Sequence, residues 1–258
     1  MKYLKKKINL KVSGFHMLLY KNKILITGGS GRFGKIFKKD SHKFKYDFLF
    51  PTSKELDICR EQTIERYIVK NKPKYLIHLA GLSRPMEKHD KLILESINKN
   101  IIGTANITKI CSKFNVKLIY VSTCYVYPGL KGNYSENSPL LPLNNYAWSK
   151  LGGESSVQMY KNSLILRASI TQKPFVHDAA FVDFKTNFIF HEDLISSIIK
   201  IINKKGVINI GGNSQSVYNF AKKYNSKIKK IYAKKIFGNG ARVNLTMNIQ
   251  KFKKLIND

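Results

Sequence analysis

A glycine-rich turn at residues 27–34 is the feature that most constrains the fold of this chain. It lies between a short apolar run at 24–27, predicted as a strand, and a helix predicted to begin at about Arg32. Gly28, Gly31 and Gly34 allow a tight turn, close approach of the backbone to a pyrophosphate, and close packing of helix on strand. The amino end of that helix offers free N–H groups and a favourable dipole to phosphate. The turn therefore predicts a dinucleotide site that opens a βαβ series.

Apolar runs and amphipathic stretches alternate along the rest of the chain, a pattern typical of βαβ units. Further strands are predicted at 46–50, 75–80, 118–121, 164–167, 187–190 and 207–210. Helices are predicted at 60–70, 91–114, 194–202 and 217–224, and one more helix carries Tyr146 and Lys150. Three prolines and two glycines make 128–145 a loop. The order predicts an α/β fold: a Rossmann-type doubly wound parallel sheet with a small C-terminal substrate-binding lobe.

The same pattern divides the chain into three predicted parts. Residues 1–20 form an N-terminal extension that we expect to be poorly ordered. Lys11 interrupts its apolar stretch and no small-residue cleavage site follows, so it resembles a signal peptide only faintly, and Met17 is a plausible alternative start. Residues 21–170 form the NAD(P)-binding Rossmann domain. Residues 171–258 form the small substrate-binding lobe, with some elements returning to the main sheet.

Composition excludes several classes of function. The formal charge is +30, but it comes from 40 lysines and only six arginines, spread from end to end. Arginine is preferred for bidentate contacts with phosphates and bases, so we predict a solvated cationic surface and no specific nucleic-acid partner. No apolar run approaches the roughly 18–20 residues of a membrane span. The three cysteines are widely spaced, which predicts a cytoplasmic protein without disulfides and without a metal site.

Tyr-x-x-x-Lys spacing marks a candidate proton donor. Tyr and Lys four residues apart share one face of a helix, where the ammonium can stabilise a phenolate and lower the tyrosine pKa. The spacing occurs four times, at 3/7, 127/131, 146/150 and 218/222. The first lies in the extension, the second in a Pro/Gly loop, and the last on a late surface helix. Tyr146 and Lys150 alone follow a strand that ends near a hydroxyl, Thr123, so we predict that they are the catalytic pair.

Several further segments, taken in order, resemble a known family. They are the turn 28–34, Leu56-Asp57-Ile58, His78-Leu79-Ala80-Gly81, Asn100, Val121-Ser122-Thr123, Tyr146/Lys150, Arg167, His191-Glu192-Asp193 and Asn209-Ile210-Gly211-Gly212. Their combination is similar to the extended short-chain dehydrogenase/reductases, the NAD-dependent epimerase/dehydratase superfamily. The stretches 122–129 and 149–154 resemble most closely the dTDP-4-dehydrorhamnose reductases and related nucleotide-sugar reductases.

The resemblance implies a reaction and its residues. NAD(P)H would reduce the ketone of a nucleotide-linked keto-deoxy sugar for surface polysaccharide precursors, while Tyr146 donates the proton. Thr123 would hydrogen-bond the reacting oxygen, Lys150 would hold the nicotinamide ribose, and Asn100 would tie a proton path to solvent. The residues expected to hold the cofactor are Gly28, Ser30, Gly31, Arg32, Phe33, Gly34, Ser53, Lys54, Asp57, Ile58, Ala80, Gly81, Ser83, Asn100, Tyr146 and Lys150.

The second strand bears on the choice of cofactor. NAD sites usually place an acidic residue at its end, and 50–54 contains none, while Arg32 and Lys54 could receive a 2′-phosphate. NADPH is therefore predicted, with NADH as the alternative. The expected partner is a nucleotide-diphosphate sugar, and a homodimer is one candidate assembly.

Other interpretations stay open at this point. An epimerase, or a combined epimerase and reductase, could use Cys124 and His177 to move protons, because the loop at 122–128 also resembles that of GDP-fucose synthase. A protein that binds a dinucleotide or a nucleic acid without catalysis is the second alternative. Asp193 is expected to cap a helix, and His78 and His191 are expected to be structural.

Overall fold

A parallel sheet of seven strands forms the centre of the computed structural model, which describes residues 22–257. The spatial order is β2-β1-β3-β4-β5-β8, and β9 pairs with the first half of β5 while β8 pairs with its last three residues. These strands are β1 (Lys23–Thr27), β2 (Asp47–Leu49), β3 (Tyr75–His78), β4 (Lys117–Thr123), β5 (Ser163–Thr171), β8 (Phe188–Phe190) and β9 (Gly206–Ile210). The predicted strands are thus present, in a sheet that is parallel throughout.

Helices cover both faces of this sheet. The longer ones are α1 (Arg32–Asp40), α2 (Glu61–Asn71), α5 (Gly103–Lys113), α6 (Asn145–Gln158), α7 (His191–Ile201) and α10 (Gln250–Asn257). Alternate residues of each strand enter two separate cores, as with Ile24 on one face and Leu25 on the other. Helices α1, α7 and α10 pack on the first face, and α2, α5 and α6 on the second. Strands buried on both faces read as continuous apolar runs, and the doubly wound α/β prediction is confirmed.

Short elements build a smaller lobe after β5. Its strands are β6 (Ala179–Phe181), β7 (Lys185–Thr186), β10 (Gln215–Ser216) and β11 (Lys229–Ile231), and its helices are α8 (Val217–Lys222) and α9 (Ala233–Phe237). β6 pairs with β11 and β7 with β10. An aromatic cluster around Phe220 fills this lobe. The predicted extension at 1–20 lies outside the described residues.

The long helix predicted at 91–114 is present from Ile93 to Lys113, but it contains a π-helical turn. Two short helices, α3 (Lys88–Lys91) and α4 (Ile93–Ser96), are followed by a π-helical turn, Ile97–Ile102, before α5 begins. A π turn inserts one extra residue and is frequent at functional sites. It carries Asn100, whose side chain bonds the loop after β3. The interruption therefore re-aims one polar side chain, which hydrophobic periodicity does not report.

Candidate functional site

A cleft of about 420 Å³ opens at the carboxyl ends of β1, β3, β4 and β5. Open parallel sheets place their ligands there because the βα turns and helix amino ends converge at that edge. Fifteen of the residues predicted for the site line this cleft: Gly28, Ser30, Gly31, Arg32, Phe33, Gly34, Ser53, Asp57, Ile58, Ala80, Gly81, Ser83, Thr123, Tyr146 and Lys150. Lys54 and Asn100 do not line it. Their predicted contacts with a cofactor stay predictions.

The glycine turn brings the start of α1 to the cleft. Gly28 has φ +75°, and a Cβ there would lie 2.6 Å from the amide nitrogen of Ala80, so only glycine fits. The next helical turn crosses directly over it, since a Cβ on Gly34 would overlap the backbone of residues 28 and 29. No hydrogen bond within residues 22–257 is donated by the amides of Arg32 or Phe33, the first two of the helix. These N–H groups and the helix dipole fit an anionic phosphate.

The part of the cleft that lies next to the end of β2 has no acidic residue at positions 50–54. Pro51 and Ser53 line it, and the exposed side chain of Arg32 faces the same space. Lys54 is exposed and lies outside the lining. Asp57 lines the cleft, but one of its oxygens accepts the N–H of Cys59 at 2.9 Å. These residues fit a ribose that carries a 2′-phosphate better than a free 2′-hydroxyl.

Thr123 and Tyr146 converge although a loop of 22 residues separates them. Thr123 is the last residue of β4, and its Oγ1 accepts the N–H of Tyr125 at 3.3 Å. Asn144 caps α6 by accepting the N–H of Ala147 at 2.9 Å, which fixes Tyr146 in the first helical turn. Thr123 is among the groups that lower the pKa of Tyr146, and both side chains line the cleft. The two hydroxyls therefore share one corner of the cleft.

Burial controls the charge states of the Tyr–Lys pair. It raises the pKa of Tyr146 to about 12, against smaller lowering influences from Thr123 and the Arg84 guanidinium. Burial also lowers the pKa of Lys150 to about 7, although the Glu154 carboxylate acts in the opposite direction. Burial thus raises the pKa of Tyr146 where a lowering was predicted, and the predicted stabilisation of its phenolate by Lys150 stays a prediction. Tyr146 therefore holds its proton at neutral pH, while the pKa of Lys150 falls into the neutral range.

Asn100 is buried below the cleft and connects three elements. Its Oδ1 accepts the N–H of Leu82 at 2.7 Å, and its Nδ2 donates to the Leu82 carbonyl at 2.9 Å and to Ser149 Oγ at 2.8 Å. The amide thus ties the loop after β3 to α6, next to Lys150. It holds the cleft in shape, and the predicted proton path through it stays a prediction.

A buried ion pair lies below the part of the cleft that holds Thr123 and Tyr146, and sequence reasoning did not identify it as a pair. The Arg167 guanidinium on β5 bonds the Glu154 carboxylate on α6 at 2.5 Å, and both side chains are almost fully buried. Ser122 donates to the other carboxylate oxygen at 2.7 Å. Arg167 also donates to the Tyr127 hydroxyl at 2.9 Å.

Other lining residues were missed. Arg84, Tyr125 and Gln172 line the cleft, and the His89 ring lies 5.1 Å from the ring of Tyr146. Each comes from a loop or a short helix without a periodic signal. Arg84 is an exposed cation beside the reacting corner and donates to the carbonyl of Ile170 at 3.3 Å.

The structure bears on three minor predictions, for His78, His191 and Asp193. His78 is structural as predicted, buried with one ring nitrogen 2.7 Å from Thr27 Oγ1 and the other 3.1 Å from Thr104 Oγ1. His191 packs against Phe33 with ring centroids 5.0 Å apart, and it also lines the cleft. The prediction that Asp193 caps α7 is wrong: the helix begins two residues earlier, at His191, and Asp193 lies within its first turn.

The proposed epimerase pair is not assembled. Cys124 is buried, and burial raises the pKa of its thiol to about 11. His177 is exposed and packs edge-on against Phe175, in the loop before β6. Neither residue lines the cleft. Within residues 22–257 no cluster of His, Cys, Asp and Glu could hold a metal ion, and no helix is long and apolar enough to cross a membrane.

Comparison with known proteins adds an independent line of observation. The family described as the RmlD substrate binding domain matches residues 22–184. The beta subunit of methionine adenosyltransferase 2 from Xenopus laevis is 32% identical over 154 residues, covering 57% of this chain and 46% of that protein. A dTDP-4-dehydrorhamnose reductase from Aggregatibacter actinomycetemcomitans is 28% identical over 170 residues, covering 65% and 54%. The chain thus spans about half the length of these curated relatives.

A solved structure shares the fold over nearly the whole chain. The dTDP-4-dehydrorhamnose reductase of Bacillus anthracis, in complex with NADP, superposes with a TM-score of 0.79 at 22% identity and covers 91% of each chain. At this level of identity the superposition speaks for the fold alone.

Proposed function

The chain belongs to the RmlD substrate binding domain family, and from that membership and the cleft geometry we propose that it is an NADPH-dependent reductase of a nucleotide-linked keto-deoxy sugar. The observation that carries the proposal is the convergence of Thr123, Tyr146 and Lys150 on one cleft with the amino end of α1. Support also comes from the reductase relative and from the shared fold of a reductase solved with NADP.

The residues of the cleft divide into binding and chemical roles. The free N–H groups at the start of α1 bind the cofactor pyrophosphate, and Arg32 binds the 2′-phosphate. Bound NADPH supplies a hydride to the carbonyl carbon of the sugar. Lys150 lies beside the reacting corner and holds the nicotinamide ribose. The gap between Thr123 and Tyr146 then receives the sugar carbonyl.

Tyr146 donates the proton that completes the reduction. Its high pKa keeps the hydroxyl protonated before the reaction, and the proton moves to the oxygen as negative charge develops there. Thr123 accepts the Tyr125 N–H through its oxygen, and its hydroxyl hydrogen turns to the same substrate oxygen when the sugar is bound. Lys150, when charged, stabilises the phenolate that remains. Charge on Lys150 therefore favours the reductive step.

A panel of nucleotide-linked 4-keto-6-deoxy sugars, tested for NADPH oxidation, examines this proposal. We expect turnover with at least one member, and a loss of about 10²-fold or more in kcat for Tyr146→Phe, the size typical of a lost general acid. Tyr218→Phe is the matched control, because Tyr218 has the same spacing to a lysine but lies outside the cleft. Equal activity of the two variants would contradict the catalytic assignment.

A second candidate function follows from the 32% identity with the beta subunit of methionine adenosyltransferase 2. In this alternative the chain binds a dinucleotide as a subunit of another enzyme and does not turn over. NADPH binding by calorimetry, together with no oxidation on any sugar of the panel, would favour this candidate over the reductase.

Location and assembly complete the proposal. Cys59, Cys111 and Cys124 are all free, which fits a reducing compartment, and we place the protein in the cytoplasm. The homodimer is tested by sedimentation equilibrium of the purified chain.

A further inference from the structure

Residues 194–257 carry a high density of positive charge. Residues 194–257 hold 13 lysines and one arginine and no aspartate or glutamate. Seven of these lysines fall within 222–235, and all seven are exposed. None of the seven forms a salt bridge with another described residue. Asp178 and Asp183, which precede and follow β6, contact this region through the N–H groups of Lys229 and Lys234.

Two apolar side chains project from the same region. Ile236 is 58% exposed and Phe237 is 67% exposed, at the end of α9. The start of this helix is fixed, because the Asp183 carboxylate accepts the N–H groups of Ala233 at 2.7 Å and Lys234 at 3.0 Å. Phe237 also contacts Phe181 with ring centroids 6.1 Å apart. These contacts fix the position of α9, which carries the two exposed apolar side chains.

Seven lysines and the apolar pair lie within residues 222–237, which we call the 222–237 surface. Lys222 on α8 and Lys230 on β11 both lie beside the Tyr218 ring, at 6.0 and 5.3 Å. β11 pairs with β6, and the last residue of β6, Phe181, contacts Phe237. No residue of this surface lines the cleft. A partner that binds the 222–237 surface therefore does not contact the residues that line the cleft.

We propose that the 222–237 surface binds the surface of an anionic phospholipid bilayer. Lysines near such a surface each contribute about 1 kcal/mol through attraction to acidic headgroups, and an adjacent apolar pair can enter the boundary between headgroups and acyl chains. A second copy of the chain does not fit, because two surfaces of like charge repel. Nucleic acid fits less well, because all seven cations are lysines and Ile236 has no role in contacts with phosphates or bases.

Flotation with lipid vesicles tests the proposal on the purified full chain. At about 0.1 M salt, where charges act over about 10 Å, the chain is expected to float with an equal mixture of phosphatidylglycerol and phosphatidylcholine and not with phosphatidylcholine alone. Ile236→Ser with Phe237→Ser is expected to weaken binding about tenfold, since both side chains lose their apolar contact. Met159→Ser is the matched control, because Met159 is 86% exposed at the end of α6, outside this surface.

A charge series and a reporter complete the test. Lys234→Gln with Lys235→Gln is expected to weaken vesicle binding more than Lys253→Gln with Lys254→Gln, which lie on α10. Phe237→Trp, made together with Trp148→Phe so that one tryptophan remains, is expected to shift its emission to the blue on anionic vesicles. Equal vesicle binding by the serine double variant and the native chain would overturn the proposal. So would tighter binding of a single-stranded oligonucleotide than of anionic vesicles.

Discussion

Replacing Arg167 by Met removes the cation of the buried ion pair below the cleft and leaves the Glu154 carboxylate in place. The guanidinium carries the strongest contacts of the Glu154 carboxylate, and the two side chains are 3% and 1% exposed. In the variant the carboxylate keeps one hydroxyl, Ser122, and stays out of reach of water. An uncompensated buried charge of this kind costs about 3–5 kcal/mol of unfolding free energy. For a chain of this length the expected fall in melting temperature is about 6–20 °C.

The double variant distinguishes this reason from a general loss of packing. Glu154→Gln together with Arg167→Met removes both charges and keeps a side-chain amide near Ser122. Pairs replaced together by neutral groups of similar size often lose little stability. We therefore expect the double variant to be more stable than Arg167→Met, with an interaction energy of about 2 kcal/mol or more in a double-mutant cycle.

Urea unfolding followed by circular dichroism measures all four proteins of the cycle. Additive losses for Glu154→Gln and Arg167→Met would refute the reasoning, because they would mean that neither charge is held by the other. A loss below about 1 kcal/mol for Arg167→Met would refute it as well. A solvent-exposed ion pair contributes only that much to the free energy of unfolding.

Three further predictions concern the cleft. The rate of reduction at saturating substrate is expected to fall as pH rises through about 7, because Lys150 loses its charge there. Glu154→Gln is expected to move the midpoint of this fall to lower pH, because the carboxylate raises the pKa of Lys150. A flat rate from pH 6 to 8 would contradict the role given to Lys150. Asn100→Ala leaves both backbone groups of Leu82 without that partner and is expected to cost about 1–3 kcal/mol in urea unfolding, against no loss if water replaces the amide. Gly34→Ala is expected to abolish NADPH binding in calorimetry while Gly240→Ala, where a Cβ meets nothing within 4 Å, binds normally; equal binding by both would contradict the role given to the turn.

Local patterns predicted the parts of the molecule that local physics determines. The turn at Gly28 and Gly34 was predictable because its backbone geometry admits only glycine, and the strands because burial on both faces requires continuous apolar runs. Tyr146 and Lys150 were found by a helical spacing placed after a strand end. These features depend on contacts within a few residues or on the common edge of a parallel sheet.

Long-range packing decided the parts that were missed. Glu154 on α6 and Arg167 on β5 form an ion pair between two elements, and Arg84 reaches the cleft from a loop. No spacing rule in the sequence predicts these contacts. The direction of the Tyr146 pKa shift was wrong because desolvation by the assembled cleft exceeds the stabilisation of the phenolate by its neighbours. The π turn at Asn100 went unseen because hydrophobic periodicity does not report one inserted residue.

Isotope transfer tests the proposed reaction most directly. The purified protein is given NADPH that carries deuterium at the transferable position of nicotinamide C4, together with each nucleotide-linked 4-keto-6-deoxy sugar of the panel. A reductase is expected to place one deuterium on the former carbonyl carbon for each NADPH oxidised, and Tyr146→Phe is expected to lose this transfer while it still binds NADPH. A protein that binds NADPH tightly and transfers no deuterium to any sugar of the panel would contradict the proposed function.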